Sequence, residues 1–342
     1  MKRPIDRVRE SGGSATIGDD GAPIVRMVTF ADTLYMVTTT SVYRVRLADD
    51  VDPKRENINV PWSVQQKIIP HGADKEFVRV AFIAASELLT KIALGDDLNI
   101  DGAMKLALEN AIQLSEIFDT LKELQDKQDI VEKSLAEANL SSRQFAIPHT
   151  QNLRQRGDHL LTALWRIAVN IIQFAEIFYP KPNAKTNWQE NLRTRMLSGL
   201  PEDHELKTNL PIMIQILDRY FQYRHAFTHP DSSKSVTLFD YDLMSDLTIW
   251  PPSIEIKHPT HALNRMPLNH FLDRELEQAI ILSEEFLYWL CELSAKQSPV
   301  FEHRVVKLAE DNLYSGSPLR WHIDFKVPLP PPGGSITVPA DD

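Results

Sequence analysis

Cysteine occurs once in this chain of 342 residues, at Cys291. That excludes an intrachain disulfide and any cysteine-rich zinc centre. Cys291 lies in an apolar helical pattern, where a thiol serves as a small core side chain. Glycine is also scarce, at twelve residues, and the chain contains no GxxxxGK[ST], GxGxxG, GxSxG or HExxH motif. Without these phosphate loops, nucleophile elbows and zinc helices, the common nucleotide-binding and hydrolase architectures find no support. No apolar run long enough to span a bilayer is expected, and the opening "MKRPIDRVRESGG" has no apolar core of a secretion signal. A cytoplasmic protein without membrane association is expected. Positive charge is in deficit overall: the net charge of −10 argues against a general nucleic-acid coat. Residues 143–229 reverse the balance, with eleven Lys/Arg against seven Asp/Glu, a local surplus of four. That region suits a phosphate-bearing ligand.

Residues 1–22 are polar and rich in Gly and Asp, and predict a flexible arm. "IVRMVTF", "TLYMVTT" and "SVYRVRL" are β-branched and aromatic, and predict a small antiparallel meander within 23–70. In the third stretch Tyr43, Val45 and Leu47 fall on one face, with Arg44 and Arg46 on the other. "DDVDPKRENINVPWS" reads as a loop. From residue 74 the period becomes helical. A helical hairpin over 71–140 is expected, one helix at 75–94 and a longer one at about 101–138. Leu114, Ile117, Leu121, Leu124, Val131 and Leu135 keep the alternating three-and-four spacing of a heptad seam, with Gln128 in one slot. The seam fits a coiled-coil hairpin, a homodimer contact or one helix of a bundle.

A second helical block spans 147–297. Helices are expected at 151–179, with Leu160, Leu161, Leu164, Trp165, Ala168, Ile172 and Ala175 as its apolar stripe, then at 187–198, at 211–228 with Pro211 in the first turn, and at 272–296. "SVTLFDYDL" and "LTIW" read as strands of an excursion. Residues 298–342 end in "VPLPPPGGSITVPADD" and predict an extended, proline-rich tail. The predicted fold class is mainly α: a helical bundle with a helical hairpin and a small N-terminal β meander.

Chemistry concentrates in "RHAFTHPD", residues 224–231. Pro230 disfavours helical geometry in the residue before it, so the helix should end near Thr228 or His229. His229 then meets the partial negative charge of a helix C-terminus. Arg224 lies five residues earlier, about 140° round an ideal helix. Either the last turn unwinds, or the two groups meet their copies across a two-fold axis. An arginine with histidines can cut RNA without a metal. One imidazole takes the proton of the ribose 2′-OH, a protonated one serves the leaving oxygen, and guanidinium supports the charge on phosphorus.

Arg224-x-x-x-x-His229, with a polar residue after the arginine, resembles the Rx4–6H signature of the HEPN superfamily of helical bundles. The helical context over about 147–297 is similar as well. The family often carries asparagine after the arginine, and here that position is His225. The resemblance implies a metal-independent endoribonuclease, dimeric, in a bacterial toxin or phage-defence setting. Arg224 and His229 would be catalytic and His225 supporting, with no cofactor and no metal. It implies an RNA substrate, a homodimer, and an antitoxin or other protein partner. Some HEPN proteins are instead non-catalytic RNA- or protein-binding modules, and that alternative stays open.

His225 and His229 also share the i, i+4 spacing of a metal pair, yet no third ligand is evident and "HAFTH" lacks the metalloprotease glutamate. His258, His261 and His270 lie downstream. His229-Pro230-Asp231, behind basic helix residues, repeats the J-domain tripeptide, but no short tyrosine–leucine–glycine helix opens upstream, and "VTLFDYDL" stands downstream in place of a third amphipathic helix. Taken singly, each of these residues also fits a solvated helix end.

Overall fold

The computed structural model describes residues 2–11, 16–137, 146–246, 248–296, 302–307 and 321–326. The chain is a mixed α/β protein, about 52% helical and 18% strand. This corrects the mainly α expectation. Among the described residues, strands form four separate sheets, and one of these has four strands.

The expected meander forms as β1 (Ile24–Phe30), β2 (Thr33–Thr38) and β3 (Val42–Leu47), and a fourth strand, β4 (Ser63–Ile69), extends it in the order β1-β2-β3-β4. All three pairings are antiparallel. Tyr43 and Val45 are buried together with Ile17, while Arg44 and Arg46 face water as their alternation required. Leu47, expected with Tyr43 and Val45, is exposed at the strand end. Val28, Phe30, Val37, Val42 and Ile69 join the main core. Phe30 stacks on Tyr35 at 4.6 Å, and Phe82 meets both rings edge-on. The stretch expected as an arm holds a short helix, α1 (Pro4–Glu10). Arg9 on α1 pairs with Asp52, and Asp6 on α1 pairs with Arg55. Asp52 and Arg55 lie beyond a one-turn helix, α2 (Ala48–Val51).

Gly72 lies where the chain leaves β4. There Thr38 accepts from the backbone N–H of Ala73 at 2.9 Å, and Thr39 from that of Asp74 at 3.0 Å. A Cβ at position 72 would overlap the Thr38 carbonyl oxygen and the Ser41 nitrogen, both backbone atoms. Gly72→Ala is therefore expected to cost about 1–3 kcal/mol of stability, read as a lowered midpoint in chemical denaturation.

The helix expected over 75–94 is broken. It runs as α3 (Glu76–Val78), a π-helical turn (Arg79–Ile83) and α4 (Ala84–Leu88), and restarts as α5 (Lys91–Leu94). Leu89 leaves helical geometry, and the Thr90 hydroxyl then accepts from the Ala93 N–H to cap the new turn. The long helices are α6 (Ile100–Glu137), α7 (Leu153–Phe178), α9 (Glu205–Thr228) and α10 (Leu268–Ser294), with the shorter α8 (Trp188–Met196) between α7 and α9. Leu114, Ile117, Leu121 and Leu124 are buried in the chain's own core, on a helix that packs against α7. The first half of the heptad seam is thus spent inside one chain; the Leu135 side chain lies outside the described residues. Most of the α7 stripe is buried as expected, with Trp165 half-buried. By length and composition α7 could cross a membrane, contrary to the reading of the sequence, and 61% of its apolar window is buried inside the protein. Cys291 is fully buried on α10, and burial pushes its thiol pKa up.

Helix α9 starts six residues before Pro211. The His204 imidazole caps it by accepting from the Leu206 N–H at 3.2 Å, so Pro211 lies inside the helix instead of in its first turn. Proline there leaves one carbonyl of the preceding turn without its helical donor.

After α9 come β5 (Ser235–Phe239), the short pair β6 (Asp242–Leu243) and β7 (Ile249–Trp250), then β8 (Ser253–Lys257) and β9 (Leu263–Pro267). β5, β8 and β9 form an antiparallel sheet in the order β5-β8-β9 that packs on α7, α9 and α10. Within the region expected as an extended tail, β10 (Glu302–Lys307) and β11 (Trp321–Lys326) pair antiparallel. Trp321 stacks on Tyr288 of α10 at 4.4 Å and donates to Glu284. The proline-rich end, 327–342, lies outside the described residues.

Glu123 on α6 clamps α7. It accepts two hydrogen bonds from Arg156, at 2.6 and 2.9 Å, and one from Lys127 at 2.7 Å. Arg156 first, then Lys127, hold its pKa down at about 2. A carboxyl depressed on folding stabilises above its unfolded pKa, and that contribution is lost as pH falls toward the folded value. The side chain is nearly half exposed, so water limits the effect to about 1 kcal/mol or less. Stability curves of the wild type and Glu123→Gln are expected to differ at pH 7 and to converge as pH falls from about 5 to 2.

Candidate functional site

Helix α9 ends at Thr228, where proline at 230 required. The Thr228 hydroxyl donates to the Arg224 carbonyl at 2.8 Å, and the His229 N–H donates to the His225 carbonyl at 2.8 Å. The inner face of α9, through Leu217, Tyr220, Tyr223 and Ala226, is buried. Asp218, Gln222, His225 and His229 follow a four-three-four spacing and so form one stripe along the polar side. The rings of His225 and His229 lie 5.4 Å apart, and both residues are exposed.

The loop beyond the helix brings a cation to this stripe. Asp231 accepts from the Ser233 N–H and hydroxyl, each at 2.7 Å, and from the Lys234 N–H at 3.0 Å. The Ser233 bonds, more than the Lys234 charge, pull the Asp231 pKa down to about 2. The tightened turn places Lys234 Nζ 3.3 Å from His225 Nδ1, where the ammonium donates to the ring.

The turn between β8 and β9 adds two more imidazoles. His258 Nδ1 accepts from the N–H groups of Thr260 and His261, at 3.3 and 3.2 Å, which leaves Nε2 as its outward nitrogen. Its ring is 5.6 Å from that of His261. Partial burial, then the charges of His261, Lys234 and His225, lower the His258 pKa, while Asp218 opposes them. His261 Nε2 lies 3.2 Å from Asp218 Oδ2, and Asp218 Oδ1 accepts from Gln222. The sequence identified His225 and His229 but not Asp218 or Lys234, and it gave no reason to bring His258 and His261 to them. The four-three-four stripe was the available signal for Asp218.

Arg224 stands apart from the imidazoles. Its guanidinium reaches Asp158 on α7, with Nη1 3.1 Å from Oδ1. The helix keeps its regular geometry through Thr228, so the expected angular separation persists and the last turn does not unwind to close it. Beside the tip, a groove of about 520 Å³ opens between Phe227, Pro230, Arg154 and Val236. Arg154 lies over the Phe227 ring at 5.9 Å. Among the described residues no group of three or more His, Cys, Asp or Glu could hold a metal ion. His270, the third of the downstream histidines named from the sequence, is an exposed residue of the first turn of α10. No protein-family model matches this sequence, and no curated protein or solved structure matches it.

Proposed function

We propose that the protein is a metal-independent endoribonuclease of the HEPN type, cytoplasmic, acting as a homodimer in a bacterial toxin or phage-defence setting. The observation that carries this reading is the His225–His229 pair at an exposed helix end, with the Lys234 ammonium on one ring. Two neighbouring imidazoles can divide the work. One removes the ribose 2′ proton, and the other, protonated, delivers a proton to the departing 5′ oxygen. Lys234 offers positive charge to the phosphate. His261 with Asp218 and the electropositive field at His258 extend the same chemistry along the stripe. The adjoining groove beside Pro230 supplies room and a cation, Arg154, for the neighbouring strand. Arg224 joins the site in this reading from the second copy, across a two-fold axis through the α9 tips.

A second reading is favoured by one observation: within one chain Arg224 is engaged by Asp158. A non-catalytic HEPN-like module that binds RNA or a protein partner, such as an antitoxin, would need no assembled arginine–imidazole pair. Structured RNA incubated in excess chelator with the wild type, Arg224→Ala, His225→Ala and His229→Ala separates the two. Chelator-resistant cutting that is lost in Arg224→Ala and His229→Ala supports the nuclease. Binding without cutting supports the module. Equal, chelator-sensitive cutting in all four would defeat the metal-independent proposal.

A further inference from the structure

On the Arg224 side of α9, a polar groove of about 340 Å³ lies between α6, α7 and α9. Gln113 and Glu116 of α6 line it one helical turn apart, with Asp158, His159 and Arg166 of α7 and Arg224 of α9. Gln113 is 7% exposed. Three atoms here are shielded from water and lack a hydrogen-bond partner: Gln113 Oε1, Glu116 Oε2 and Arg224 Nη1. Glu116 Oε2 lies 3.6 Å from His159 Nε2, too long for a hydrogen bond. Arg224 Nη1 is within ion-pair distance of Asp158 but is not aligned to donate to it. Buried polar atoms are normally satisfied, so a cluster of orphans in one groove points to a partner that arrives from outside.

The orphans form a pattern of two acceptors and one donor. A ligand edge that completes them carries two donors and one acceptor. Among the RNA bases, guanine has that edge: N1–H and the N2 amino group donate, and O6 accepts. Adenine offers one donor and one acceptor there, and cytosine and uracil each offer one donor with two acceptors. We propose that this groove binds a guanine base, presented by an RNA strand or by a free guanine nucleotide. Glu116 and Gln113 take the N1–H and N2–H donors, and Arg224 donates to O6. Exposed Arg166 at the rim is placed to meet the attached phosphate. In the RNA case the inference rests on the ribonuclease reading and replaces its two-fold arrangement: Arg224 serves the base in its own chain, and the phosphate is left to Lys234 and the imidazoles.

The test uses the full chain titrated calorimetrically with GMP, AMP, CMP and UMP, with Gln113→Leu and Glu116→Gln as variants and thermal melts as the folding control. GMP is expected to bind roughly tenfold or more tighter than the other three, and each variant to lose roughly tenfold for GMP alone. Equal binding of all four nucleotides, no binding of GMP, or unchanged GMP affinity in both folded variants overturns the proposal. Mapping of RNA ends assigns the source. Cuts beside G that GMP inhibits place the base in the strand; selective GMP binding with cuts indifferent to G assigns the groove to the free nucleotide. Cutting without GMP selectivity removes the guanine site and leaves the nuclease. Selective GMP binding by a protein that cuts no RNA removes the nuclease and leaves the guanine site.

Discussion

His229→Ala is expected to slow chelator-resistant cutting of structured RNA by about 10²–10⁴-fold, the range for losing a positioned general acid or base. The site makes this a sharp test. His229 is the exposed C-terminal cap of α9, and its backbone N–H, which closes the helix on His225, survives the substitution. Its ring contacts only the imidazole of His225 among the described aromatic pairs. Truncation of an exposed side chain away from packing changes stability by about 0.5 kcal/mol or less, so the melting temperature should hold while the rate falls. Arg224→Ala removes an ion pair in which Asp158 is nearly half exposed, worth about 1 kcal/mol or less. If the nuclease reading holds, its effect on rate should far exceed that. Wild-type rates in folded His229→Ala would reduce the imidazole pair to a solvated helix end.

Glu275→Ala is expected to destabilise the fold by about 3–5 kcal/mol, a large share of the roughly 5–15 kcal/mol that holds a domain together. The Glu275 side chain is fully buried on α10 between two guanidiniums. Arg219 of α9 donates to Oε2 at 2.8 Å, and Arg274 donates to Oε1 at 2.7 Å. Arg219 also hydrogen-bonds Gln278, and the buried Tyr220 hydroxyl donates to the Glu275 carbonyl at 3.2 Å. Burial, reinforced by the Glu275 charge, pushes the Tyr220 pKa well up. Removing the carboxylate leaves the partly buried Arg219 and the more exposed Arg274 without their anion and opens a void where the buried Glu275 side chain packed, and the two together account for the cost. Because Arg219 and Tyr220 lie within the 218–229 span of α9, loss of this network should also loosen the helix that carries the candidate site. Urea denaturation with an unchanged slope and a lower midpoint is the expected record. A shift under about 1 kcal/mol would mean that the two arginines find other partners and that α9 is held by apolar contacts alone.

Parts of the fold were legible because they depend on neighbours in sequence. The alternation from Ile24 to Leu47 produced three strands in the expected places, and the apolar stripe of α7 produced a buried helix. Proline at 230 ended α9 at Thr228. The fold class was misread because β8, β9, β10 and β11 are five or six residues long and gain stability only from partners elsewhere. A segment such as "LNRMP" carries no strong strand preference, and it becomes β9 because Ile254 and Ile256 of β8 present it with a buried edge. Pro211 misplaced the start of α9 for a related reason. The cap that begins the helix is an imidazole, His204, outside the usual set of capping side chains.

The sequence by itself determined what each residue can do and that α9 must stop before Pro230. One thiol forbids an intrachain disulfide, the spacing of residues 218, 222, 225 and 229 forces one polar stripe, and five residues of helix keep Arg224 off that stripe. These follow from covalent geometry and the helical repeat, which act over a few residues. Only the tertiary structure decided which groups meet. The β8–β9 turn carries His258 and His261 to α9, the Asp231 turn swings Lys234 onto His225, and α7 takes Arg224 with Asp158. Such meetings are set by how sheets and helices bury their apolar faces, and that free energy is shared over the whole core instead of being written in any local stretch.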